Sequence, residues 1–338
     1  MYTNKLKTLF KNTNKCLSLY RFSLPLQKPI NFNGHQLTRR QGLWLVKQTA
    51  TGDYSIGEIA PLPGFSHETL EDCEDYLLAL LHNSTITKQQ IETLQTLPSV
   101  QFAIHCLLQQ IPWQTLPSLD QQSIALFQGK PADIIQRYKV LNNPNVAKLK
   151  VGRLTVQKEV QLIKALIKVN PKIRFRLDAN QQWDKQTYVF FLKNINAQHI
   201  DYIEEPTQSM ADNIRVAQRY ESRLGLDESL LTAVTLPIDS SIKALVLKPT
   251  LIGDPDRIND LLIHAQQYNL QVTISACFES PIALNQLRAL AQHWQQQTQF
   301  NIALGLDTQQ AFTEDIQHRI ISTRAQLKAY LKKAKRLW

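Results

Sequence analysis

The sequence predicts an α/β protein, a closed (β/α) barrel carrying an N-terminal α+β domain, and three observations predict it. Up to about residue 111 the chain reads as strands followed by helices, which is the grammar of a small α+β unit. From about residue 123, short apolar strands alternate with helix-length amphipathic segments, eight strands in all. No glycine-rich phosphate loop interrupts that alternation, which favours closure over an open doubly wound sheet. A length of 338 residues also suits two packed units.

The first seventeen residues read as an extension. They are basic through Lys5, Lys7, Lys11 and Lys15 and faintly amphipathic through Leu6, Leu9 and Phe10, which leaves a transit peptide as the alternative. The α+β unit is expected over 18–118. In it Leu19–Leu24 alternates as a strand does, Gly42–Val46 is a short apolar run, and Ala60-Pro61-Leu62-Pro63-Gly64-Phe65-Ser66 is turn-rich. Helices are expected at 67–82 and 87–111, the second with Val100, Ala103, Ile104, Leu107 and Leu108 on one face. The barrel is expected over 119–310, with strands at 123–127, 146–151, 173–177, 200–203, 224–226, 242–247, 270–274 and 300–304. Residues 311–338 read as a helical tail packing back on the first unit.

Composition excludes several function classes. The chain is 43% hydrophobic and 20% charged, ordinary for a globular protein, and lacks an 18-residue apolar run, so no membrane partner is expected. The net charge of +10 raises nucleic acid as a partner. Much of that excess sits in the terminal runs, including Lys328, Lys332, Lys333, Lys335 and Arg336, where solvated tails or helix faces are the ordinary meaning. With no helix-turn-helix or aromatic-interleaved basic strand between them, a basic nucleic-acid-binding protein is only the non-enzymatic alternative, and no nucleic acid is expected. Four scattered cysteines without a CxxC pair argue for a reducing, cytoplasmic location. The histidines show no HxH or HExxH spacing, and no rim histidine accompanies Ser275 or Cys277, so triad chemistry is not expected.

The chemistry lies at the ends of the barrel strands. Lys148 and Lys150 end the second strand, Asp178 the third, Glu204 the fourth, Asp227 the fifth and Lys248 the sixth. From Lys150 onward the separations are 28, 26, 23 and 21 positions, each one strand-plus-helix unit. In a closed barrel these ends are neighbours around one rim. Asp, Glu and Asp on consecutive strands form an all-oxygen set suited to one divalent cation, Mg²⁺ or Mn²⁺. The second and sixth strands lie nearly opposite, so a substrate over the metal would have an amine on each face. Two-residue periodicity points Lys148 and Lys150 inward together, and the first can lower the pKa of the second until it serves as a base. Proton abstraction beside a carboxylate is the reaction this arrangement suits. Arg176 and Asn180 are expected to support the acids.

These residues resemble the enolase superfamily in its muconate-lactonizing subgroup, through Lys148-Leu149-Lys150, Asp178-Ala179-Asn180, Glu204-Glu205-Pro206, Asp227-Glu228-Ser229 and Lys248-Pro249-Thr250. More narrowly, 57–66, 175–180, 247–253 and Gly305-Leu306-Asp307-Thr308 are similar to the o-succinylbenzoate synthases of menaquinone biosynthesis, in their gamma-proteobacterial form. The resemblance covers about 18–315. It implies a barrel of the modified (β/α)7β type and Mg²⁺-dependent dehydration of 2-succinyl-6-hydroxy-2,4-cyclohexadiene-1-carboxylate to 2-succinylbenzoate. It also implies Lys150 as base, Lys248 as the cation on the other ring face, and Glu204 rather than Glu205 as ligand with Asp178 and Asp227. Phe65 in the 60–66 loop and Ser275 are implied substrate contacts, although 275–280 is less serine-rich than the resemblance leads one to expect. The subgroup also contains N-acylamino acid racemases and dipeptide epimerases, which remain the enzymatic alternative. The oligomeric state stays open.

Overall fold

The computed structural model describes residues 6, 8–10, 16–32, 34–49, 51–83, 86–116, 123–233, 235–298 and 300–338. The basic residues Lys5, Lys7, Lys11 and Lys15 lie outside them. Strands β1 (Leu17–Phe32), β2 (His35–Gln48) and β3 (Tyr54–Ile59) form an antiparallel meander. Alternate residues serve two cores. Leu17, Leu19, Leu43, Leu45 and Ile59 face the helices Leu70–His82 and Pro98–Leu108, whereas Phe22, Leu24, Trp44, Val46 and Ile56 face Ile282, Phe312 and the C-terminal segment. A strand buried on both faces has no polar side, which is why Gly42–Val46 reads as a continuous apolar run.

Thr69 caps the first helix in a reciprocal box with Asp72. The single helix expected over 87–111 is two, Lys88–Leu94 and Pro98–Leu108. Pro98 disfavours the helical conformation at Leu97, whose φ and ψ are −123° and 70°, and then opens the second helix where its missing N–H costs nothing. That helix lies flush on β3: a Cβ at Gly57 would stand 2.1 Å from the Ala103 carbonyl oxygen. Leu6, Leu9 and Phe10, expected on an extension, are buried in this same core.

Eight parallel strands follow in ring order: β4 (Leu126–Phe127), β5 (Val146–Lys150), β6 (Arg174–Asp178), β7 (Ile200–Glu204), β8 (Leu224–Leu226), β9 (Ile242–Leu247), β10 (Gln271–Ser275) and β11 (Ile302–Gly305). The seam between β11 and β4 is closed by the Ile124 N–H donating to the Leu304 carbonyl at 2.8 Å. Asp307 completes it, accepting from the Leu126 N–H at 3.0 Å and pairing with Arg137 at 2.8 Å. A side-chain carboxylate thus replaces part of the ladder, and β4 is shorter than its apolar run. Helices follow each of the first seven strands, one of them the single turn Ser229–Thr232; β11 is followed by no covering barrel helix, which makes this the (β/α)7β form.

The chain then returns to the first sheet. Leu327, Tyr330 and Leu331 of helix Arg324–Leu331 are buried, with Tyr330 4.9 Å from Trp44. Strand β12 (Lys335–Arg336) pairs antiparallel with β1, so these two basic residues belong to a sheet edge and not to a solvated tail.

Candidate active site

The strand register assembles the rim. Lys150 stands opposite Asp178, and Asp178 opposite Glu204, in successive parallel ladders. Glu204 faces Gly225, where a Cβ would come within 3.2 Å of its side chain and 2.9 Å of Tyr202, so glycine leaves room for the carboxylate. Asp227 and Lys248 follow the ends of β8 and β9. Lys150 on β5 and Lys248 after β9 therefore approach from opposite sides of the ring.

Lys148 donates to Glu204 at 2.6 Å and lies 2.9 Å from Asp178. Lys150 donates to Asp178 at 2.6 Å and to Asn180 Oδ1 at 2.7 Å, and Lys248 donates to Asp227 at 2.6 Å. One oxygen each from Asp178, Glu204 and Asp227 falls within a 4.8 Å cluster, and all three residues are buried. Among the described residues, Glu204 Oε1 and Asp227 Oδ1 are buried without a hydrogen-bond partner. Unpartnered buried carboxylate oxygens are costly, and a convergent all-oxygen set around them fits a hard divalent cation.

Glu205 is built for another task. Its φ of 35° turns it away from the cluster, and its carboxylate accepts the Asp227 and Ser229 N–H groups at 3.1 and 3.2 Å as well as the Ser229 hydroxyl. It thereby holds the turn that carries Asp227. Asn180, with φ 44°, links Lys150 to Glu228 through its Nδ2 at 2.9 Å. Arg176 points into the barrel but away from the acids. It donates to Asp201 at 3.0 Å, Thr273 at 2.9 Å and Gln271 at 3.2 Å, so its hydrogen bonds tie the barrel floor together instead of reaching the rim.

The titration of the site is uneven. Burial opposes the charge on Lys148, yet Asp178, Glu204 and Asp227 hold its pKa well above the ordinary lysine value. Burial lowers Lys150 below that value; Asp178 resists, while Lys148 and Lys248 add to the lowering. Lys248 is equally buried, but Asp227 and Glu228 raise it. Asp178 stays well below the usual carboxylate range because the three ammonium groups outweigh its burial. Burial pushes Glu204 up to about 8, against Lys148 and with the help of Asp178 and Asp227.

A cavity of ≈ 440 Å³ opens over this cluster. Leu62 and Phe65 of the 60–66 loop form one wall, with the Phe65 ring 5.5 Å from Lys248 Nζ. Buried Arg40 on β2 donates to the Ala60 and Pro61 carbonyls and so sets the base of that loop. Ser275, Ala276 and Cys277 also line the cavity, Cys277 packing in one apolar cluster with Leu62 and Phe65.

Residues 14–111 match the family model described as "MenC, N-terminal domain", and residues 133–322 match "Enolase C-terminal domain-like". The chain is 30% identical to the o-succinylbenzoate synthase of Haemophilus influenzae over 87% of its own length and 90% of that protein. It is 31% identical to that of Yersinia enterocolitica over 82% and 86%. The chain belongs to the o-succinylbenzoate synthase family. Among solved structures, the o-succinylbenzoate synthase of Thermosynechococcus elongatus, complexed with Mg in its active site, superposes with a TM-score of 0.73 at 24% identity, covering 94% of this chain and 99% of that one. A dipeptide epimerase from Cytophaga hutchinsonii, complexed with Mg and a dipeptide, gives 0.70 at 20% identity over 88% and 87%. The enolase-type barrel is thus shared across both activities.

Reading strand ends one residue at a time misses Glu228, although it stands in the quoted motif Asp227-Glu228-Ser229. It accepts from Asn180, keeps Oε2 buried without a partner among the described residues, and is pushed up to about 7 chiefly by burial and by Asp227. Nothing in its sequence position separates it from a turn residue. Among the described residues no helix is long and apolar enough to cross a membrane.

Proposed function

We propose that the chain is an o-succinylbenzoate synthase that dehydrates 2-succinyl-6-hydroxy-2,4-cyclohexadiene-1-carboxylate, with Asp178, Glu204 and Asp227 as ligands of one Mg²⁺. When bound, the cation supplies Lewis-acid stabilisation of the negative charge that develops on the ring carboxylate. Lys150 removes the proton on C1, beside that carboxylate. The electron pair forms the C1–C6 double bond, the hydroxyl leaves from C6, and the proton held on Lys150 passes to it as water departs. Lys248 keeps its proton and holds positive charge against the other ring face throughout. Lys148 stays charged as well; it fixes Asp178 and Glu204 and makes protonation of Lys150 harder. Asn180 orients the Lys150 amine, and the loop carrying Phe65 shields the ring from solvent.

The observation that carries this reading is the opposed pair of lysines over one buried acid cluster, with Lys150 lowered and Lys248 raised. A two-base racemase or epimerase would use the same two amines, and the likeness over most of the chain to o-succinylbenzoate synthases is what favours dehydration. The test is ultraviolet loss of the cyclohexadiene with added Mg²⁺, run beside deuterium exchange at the α carbon of N-succinylamino acids. Exchange with inversion and no dehydration would replace the synthase reading with the racemase one.

A further inference from the structure

The substrate named above carries two carboxylates, one on the ring and one at the end of the succinyl arm, and the acid–lysine cluster accounts only for the first. Of the cations lining the cavity, Lys148, Lys150 and Lys248 are all committed to Asp178, Glu204 or Asp227. The fourth is Arg153. It is exposed, and among the described residues it has no acidic partner; its guanidinium makes only a long contact of 3.4 Å to Gln128 Oε1, itself on the cavity wall.

The backbone beneath Arg153 is built rather than loose. Gly152 turns the chain with φ 74°, at a point where a Cβ would stand 2.8 Å from Gln182 Cβ and 3.0 Å from the Ala179 carbonyl oxygen. The buried carboxylate of Glu159, at the start of the next helix, accepts the N–H groups of Arg153 and Leu154 at 2.9 and 3.1 Å and is held in turn by the Trp183 indole at 3.3 Å. A flexible side chain thus starts from a fixed point three residues beyond the catalytic Lys150, with its planar fork of donors engaged only by the long contact to Gln128. A guanidinium binds a carboxylate through two parallel hydrogen bonds, which an ammonium cannot reproduce.

We propose that Arg153 is the residue that binds the succinyl carboxylate and so selects dicarboxylate substrates, an assignment that rests on the dehydratase reading. Because this carboxylate does not react, its contact is the same in the ground state and the transition state. Its loss therefore appears in KM more than in kcat.

The test is steady-state kinetics of the wild type, Arg153→Leu and Arg153→Lys, all Mg²⁺-loaded, on the parent cyclohexadiene and on its succinyl methyl ester. For the parent, Arg153→Leu is expected to raise KM about tenfold to a hundredfold while kcat falls much less, as losing a charged hydrogen bond implies. Arg153→Lys is expected in between. For the ester, all three proteins should share one KM. An unchanged KM for the parent, or an equal loss on parent and ester, overturns the assignment to Arg153. An inactive wild type overturns the dehydratase reading itself and this inference with it, and that result is visible before any variant is compared.

Discussion

Two of the places where the barrel buries charge are built in opposite ways. At the floor, Arg176 and Asp201 are hydrogen-bonded throughout: Asp201 accepts from Arg174, Arg176 and Gln271, and Arg176 also reaches Thr273. At the rim, Asp178, Glu204 and Asp227 crowd together, and two of their oxygens have no partner among the described residues. A satisfied buried pair holds structure, whereas an unsatisfied cluster of like charges is tolerated where something binds. Burial alone does not tell the two apart; the partner of each oxygen does.

Substitutions should separate the two regions. At the rim, Lys150→Ala is expected to lower kcat by about 10² to 10⁴, the range for losing a general base, with thermal unfolding little changed. Lys248→Ala should be no more damaging than that. Asp178→Asn, Asp227→Asn or chelation of divalent metal is likewise expected to abolish turnover while circular dichroism stays the same; normal turnover without metal would sink the ligand assignment. At the floor, Arg176→Met removes one of the partners of Asp201, which keeps Arg174 at 2.6 Å, and is expected to cost about 1.5–3 kcal/mol of stability, read by denaturant unfolding. The substrate KM of that variant should stay near the wild-type value. A large kcat loss at full stability would place Arg176 in the site after all.

The smallest effect is a pH slope. Glu204 is raised from about 4.5 to about 8 in the fold, and Glu228 to about 7, so between pH 4.5 and 8 the folded metal-free protein holds protons that the unfolded chain has lost. Its stability should therefore fall as pH rises through that window. Asp178, shifted the other way, is ionised in both states there and adds no slope. Mg²⁺ competes with those protons, so the gain in Tm on adding it should widen toward pH 8. Glu204→Gln should flatten the metal-free profile.

The sequence by itself determined the alternation of strands and helices and the spacing of Lys150, Asp178, Glu204, Asp227 and Lys248, because both follow from periodicity along one chain. It also carried the family motifs, on which the proposal of Glu204 rather than Glu205 as ligand rests. The tertiary structure decided what depends on which atoms meet across strands. Pro98 divides one expected helix in two, a local effect legible in principle. By contrast, Leu6, Leu9 and Phe10 enter a core, and Lys335–Arg336 pair with β1, only because distant segments offer them partners. Arg176 shares the inward phase of Asp178, yet its guanidinium finds Asp201 and Thr273 at the floor. Glu205 follows Glu204 immediately and turns away, to the backbone of Asp227. Periodicity states which face a side chain takes; its hydrogen-bond partners, and hence whether its charge is satisfied, exist only once the barrel has closed.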